Sequence, residues 1–229
     1  MKNKNILWLY LFLFASMADF ALIIKGLDEA RIYSKPLIVT SLIVYFYLIT
    51  KPISWTLLSK AMMGALIFSL IGDVLLLWKN LFIYGLGAFL LAQICYIIAF
   101  KISQRNPNRI FNVNFIRTFF FNLPIYIAAA FVYFLIHNNL GPLKIPVVIY
   151  IIIIVSMVTT ARERFKRVNP DSFWQVFVGA CFFFVSDGMI AINKFYFEFP
   201  EAGIMIMGTY VIAQLLIVMG IRSYILRPE

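Results

Sequence analysis

Eight apolar runs separated by short connections decide what this chain can become. They fall at about 6–24, 36–50, 55–78, 81–100, 119–136, 144–160, 174–193 and 203–221. A helix needs about 20 mostly apolar residues to cross a bilayer. Backbone in lipid must satisfy its own hydrogen bonds, so runs of this kind become helices. The second run is short, and Pro142 or Pro146 marks the start of the sixth. The first run follows Lys2 and Lys4, as a secretory signal would. It is long, it contains Asp19 and another apolar run follows it, so it reads as a retained span. The expectation is an all-α, polytopic integral membrane bundle of eight transmembrane helices, with residues 1–229 as a single transmembrane domain.

Composition agrees. Of 229 residues, 63% are hydrophobic and 13% charged, against about 25% charged in ordinary soluble domains. The net charge of +10 does not imply nucleic acid, because the basic residues sit in short connections between apolar runs. There they orient the protein and touch anionic lipid. With eight spans, the termini and the even-numbered connections share one side. Fourteen of the twenty Lys and Arg residues fall there. That bias predicts a multi-pass protein of the cell (inner) membrane with both termini cytoplasmic. Cys95 and Cys181 lie inside apolar runs and imply no disulfide framework. A single histidine, His137, argues against a histidine-built metal site, and no cofactor is expected.

Two runs carry an acid beside glycine: Gly72-Asp73 in the third and Asp187-Gly188 in the seventh. A charged side chain near the centre of a membrane helix costs roughly 3 kcal/mol, so such acids face a bundle interior, a cavity or a partner. Asp19 lies six residues before Lys25, Asp73 six before Lys79 and Asp187 seven before Lys194. At 1.5 Å per residue all three lie about 9–11 Å inside the same boundary. They are expected to line one pocket open to the outer side. Asp73 and Asp187 are each followed, one span later, by an Ala-Gln pair, Ala92-Gln93 and Ala213-Gln214. Those matches suggest two parallel four-helix repeats.

Gly-x-Ser-x-Gly elbows, phosphate loops and His-Glu-x-x-His spacings are absent. An intramembrane aspartyl protease would need glycine where Leu70-Ile71 stand and tyrosine before the second acid, where Ser186 stands. Paired membrane carboxyls suit acid–base chemistry through an oxocarbenium-like ion, with one giving a proton and the other steadying the cation or activating water. The same pair would also serve a small transporter coupling proton or substrate, or a lipid-binding membrane protein. Chemistry alone leaves these open.

Five segments together resemble the YhhN family of bacterial proteins and their animal relatives, the lysoplasmalogenases. They are Tyr33 to Leu37, Ser69 to Leu75, Gly87 to Tyr96, Gly179 to Asp187 and Tyr210 to Leu216. The resemblance covers nearly the whole chain. It implies a membrane lipid hydrolase that cleaves the vinyl-ether bond of lysoplasmalogen to a fatty aldehyde and glycerophosphoethanolamine or glycerophosphocholine. Asp73 and Asp187 become the catalytic acid and base, in either order. Asp19, Lys35, Ser69, Gln93, Ser186, Lys194, Tyr210 and Gln214 become candidate substrate contacts. Many family members carry histidine where this chain has Gln93, which can hydrogen-bond but not shuttle a proton. The expected partners are a lysophospholipid substrate and membrane lipids.

Overall fold

The computed structural model describes residues 2–52, 56–104 and 115–226. Within them lie eight long helices and no strands: α1 (Lys2–Ile24), α2 (Arg31–Thr50), α3 (Leu57–Leu75), α4 (Phe82–Ile102), α5 (Phe115–Ile136), α6 (Lys144–Arg162), α7 (Pro170–Phe195) and α8 (Ala202–Leu226). All eight are long and apolar enough to cross a membrane. Arg105, Arg109, Arg227 and the third run's first residue, Trp55, lie outside the described residues, as do the side chains of Lys2, Lys4 and Arg117.

The second run is longer than its sequence suggests. Pro36 reads as a boundary, yet α2 begins five residues earlier and carries Pro36 inside its early turns. A proline there removes one backbone donor but keeps a helical φ. Asp28–Ala30 form a 3-10 turn that leads directly into α2. Elsewhere the boundaries follow local signals. The Asn169 side chain accepts from the Ser172 N–H at 2.7 Å with Pro170 at the first helical position of α7. Thr56 caps α3 by accepting from the Ser59 N–H.

Large apolar side chains such as Tyr33, Phe120, Phe131 and Phe134 stand exposed around the bundle, which is ordinary for a surface facing lipid. The interior is tied by close helix pairs. α3 lies along α4 and α7 along α8, whereas α5 and α6 touch far less than α1 and α2 do. The two halves of the bundle therefore share one strongly packed pair and differ in the other.

Glycine allows the α7–α8 approach. A Cβ on Gly220 would lie 2.9 Å from the Val176 backbone nitrogen and 2.6 Å from its Cγ2. At Gly208 on the same helix it would meet nothing within 4 Å. Gly220→Ala is therefore expected to cost about 1–3 kcal/mol by overpacking, while Gly208→Ala leaves stability unchanged. Thermal unfolding of both variants in detergent checks this.

At one end of the bundle Arg164, in the α6–α7 connection, is fully buried. Its Nε donates to Ser103 Oγ at 2.9 Å, Nη1 to the Ser172 carbonyl at 3.1 Å and Nη2 to Ser172 Oγ at 2.7 Å. Burial lowers its pKa to about 10, so it stays charged at neutral pH. Lys101 pairs with Glu163, and Arg167 donates to Gln104 Oε1 at 2.7 Å. The basic run after α6 thus locks the ends of α4 and α7 together.

Candidate functional site

The polar centre is assembled by α2, α3, α4, α6, α7 and α8. Asp73 sits near the end of α3, 2% exposed. Its Oδ2 accepts from the Tyr210 hydroxyl on α8 at 2.7 Å, and its Oδ1 lies 3.9 Å from Lys35 Nζ on α2. A chain of donors stands behind it. Tyr96 donates to Gln214 Oε1 at 2.5 Å, Gln214 Nε2 donates to the Tyr210 oxygen at 3.2 Å, and Tyr210 donates to Asp73. The Ser69 hydroxyl, one turn before Asp73, is buried beside the Tyr96 phenol.

Asp187 occupies the matching place on α7. Its Oδ2 accepts from Gln93 Nε2 at 2.9 Å and from the Tyr150 hydroxyl at 2.5 Å. Both bonds land on one oxygen, so Oδ1 has no donor among the described residues. The Gln93 side chain also lies beside the Tyr150 phenol. The service is crosswise: Gln93 of α4 supports the acid of α7, and Gln214 of α8 supports the acid of α3 through Tyr210.

Asp19 lies within electrostatic reach of Asp73 but is differently employed. It is fully buried and receives Arg31 Nε and Nη2, both at 3.2 Å, and Ser34 Oγ at 2.8 Å. Asp19, Arg31, Lys35 and Asp73 interact as two acids and two cations. Asp73 and Asp187 also interact electrostatically.

A cavity with about 680 Å³ of empty space, its open mouth included, lies between α4, α5, α6 and α7, and of the three acids only Asp187 lines it. Phe89 separates Asp73 from that cavity. It lines the cavity, stands edge-on to Tyr210 with ring centres 5.8 Å apart, and packs where a Cβ on Gly72 would come within 2.7 Å. Glycine before Asp73 thus makes room for the Phe89 ring.

Two other expected contacts lie away from the carboxyls. Ser186 donates to the Ile206 carbonyl at 3.0 Å, a link between α7 and α8. Lys194 is exposed, with Nζ 5.3 Å from the centre of the Phe82 ring. Sequence reasoning did not anticipate Tyr150, Phe89 or Arg31. A phenol amid the isoleucines of α6 was the available signal for Tyr150. Among the described residues no group of three or more His, Cys, Asp or Glu is placed to hold a metal ion.

Fold and site define a polytopic helical membrane protein with buried carboxyls, one beside a cation and one on an apolar cavity. The chain belongs to the YhhN family, which it matches over residues 30–221. It is similar to the lysoplasmalogenase TMEM86B of Homo sapiens, 30% identical over 71% of this chain and 63% of that protein. The Mus musculus TMEM86B is 29% identical over 69% of this chain and 61% of its own length. A lysoplasmalogenase of Mycobacterium bovis is 34% identical over 68% and 58%. The chain therefore spans about three-fifths of the length of these relatives. No solved structure matches it.

Proposed function

We propose that this protein hydrolyses the vinyl-ether bond of a single-chain ether phospholipid, a lysoplasmalogen, releasing a fatty aldehyde and a glycerophospho-alcohol. The observation that carries this reading is Asp187, a buried carboxyl at the wall of an apolar cavity, in a family whose curated relatives are lysoplasmalogenases.

Asp187 is the acid in this scheme, because it borders the cavity and no cation among the described residues pairs with it. Its proton adds to the second carbon of the alkenyl chain, and the first carbon becomes an oxocarbenium ion. Asp73, in electrostatic range across the Phe89 ring, steadies that cation as a carboxylate, while the newly formed Asp187 carboxylate takes back a proton from the water that adds to the first carbon. The resulting hemiacetal collapses to aldehyde and the free glycerol hydroxyl. One water is consumed, and both acids recover their starting states. Gln93 and Tyr150 position Asp187, while Tyr210 and Lys35 position Asp73.

The protein sits in the cell membrane with both termini cytoplasmic. The basic cluster at the Arg164 end supports that orientation.

Purified protein given an alkenyl lysophosphoethanolamine is expected to release aldehyde stoichiometric with lipid consumed. A folded protein that binds the lipid and releases none overturns the hydrolase reading in favour of lipid binding or transport.

A further inference from the structure

We infer that the cavity between α4, α5, α6 and α7 holds one hydrocarbon chain, with its polar end at Asp187 and its length limited by the Phe82–Phe195 ring pair. This rests on the hydrolase reading only for the chemistry at Asp187. The chain site itself stands on the shape and lining of the cavity.

The lining is apolar except at one level. Asp187 is its one charged residue and Tyr150, bonded to it, supplies a phenol; the rest are aliphatic, phenylalanine or glycine. Each of four helices contributes a stretch running the same way. Phe89 to Phe82 on α4, Ala129 to Ile136 on α5, Ile154 to Val147 on α6 and Phe184 to Phe195 on α7 all pass from the deep end to one end of the bundle. From Asp187 to Phe195 is eight residues, about 12 Å along the helix. The shape is thus a tube with a polar group near its deep end.

A ring pair stands at the far end. Phe82 and Phe195 meet edge to face with ring centres 5.9 Å apart. Lys194 stands over the Phe82 ring, and Asn139 Nδ2 donates to the Phe195 carbonyl at 2.7 Å. A chain entering from Asp187 runs along aliphatic walls until it meets that pair.

The test uses saturated alkyl-ether lysophosphocholines of rising chain length, which bind without being cleaved. The readout is the lipid concentration that half-maximally stabilises the purified full-length protein against heat. In the parent, affinity is expected to rise about fourfold per methylene and then stop once the chain reaches the ring pair. Phe195→Ala moves that stop to longer chains. Ala191→Phe, which fills the tube, moves it to shorter chains and weakens binding of the longer lipids at least tenfold. Gly188→Leu is a second filling variant, and if Ala191→Phe does not fold it decides the same point alone. A chain-length profile unchanged by both the widening and the filling variants overturns the inference, as does a parent that no lipid in the series stabilises. Because these probes carry no vinyl ether, normal binding with no aldehyde from an alkenyl lipid would sink the hydrolase reading and leave the chain site standing.

Discussion

Asp187→Asn is expected to lower turnover of an alkenyl lysolipid a hundred- to ten-thousandfold, the usual contribution of a positioned general acid, with little change in unfolding temperature. Asparagine keeps the size of the side chain and an oxygen that still accepts from Gln93 and Tyr150. What it lacks is a proton to give to carbon. Tyr150→Phe is the informative companion. It removes one of the two donors to Oδ2 but leaves the carboxyl. A hydrogen bond to the carboxylate that Asp187 becomes as its proton leaves is worth about 1.5–3 kcal/mol, so the loss should be about ten- to a hundredfold, smaller than for the acid itself. Single-turnover aldehyde release, with thermal unfolding in parallel, separates the two. If Asp187→Asn retains parental turnover, proton transfer lies elsewhere and the mechanism fails.

The acids of this site were legible because they are expensive. Asp19, Asp73 and Asp187 stand in apolar runs where a charge needs a reason, and counting from Lys25, Lys79 and Lys194 placed them at one level. Their partners were less visible, because partnership is made across helices. Asp19 and Arg31 are twelve residues apart across a turn. Asp73 and Tyr210 are 137 apart, and Asp187 and Gln93 are 94 apart. The Ala-Gln pairs pointed to Gln93 and Gln214, but not to the crosswise arrangement in which each serves the other half. Tyr150 and Phe89 look in sequence like any aromatic in a membrane helix. Only packing makes one a donor to Asp187 and the other a wall between the two carboxyls. Arg164 shows the converse. In sequence it belongs to a basic run that reads as a membrane-surface anchor, yet Ser103 and Ser172 satisfy it inside the protein. A charge run has no intrinsic address, and the depth of each member is set by which neighbours can hydrogen-bond it.

Asp73→Asn is expected to abolish turnover and also to destabilise the fold, and the two losses should be separable. Lys35 and Asp73 are both buried, 7% and 2% exposed. Removing one partner of a buried ion pair strands the other charge, at a cost of roughly 3–5 kcal/mol. The 3.9 Å separation and the nearby Asp19 place this pair at the lower end of that range. The double variant Lys35→Met with Asp73→Asn strands no charge, since Asp19 keeps its Arg31 and Ser34 donors and asparagine still accepts from Tyr210. Stability should return most of the way to the parent, giving a coupling of about 2–3 kcal/mol between sites that touch. Turnover should not return, because the carboxylate that steadies the cation is still missing. Urea or thermal unfolding measures the first quantity and aldehyde release the second. Additive stability losses would show that Lys35 and Asp73 do not act as a pair. Recovered turnover in the double variant would show that Asp73 serves the fold alone and that Asp187 works without a second carboxyl.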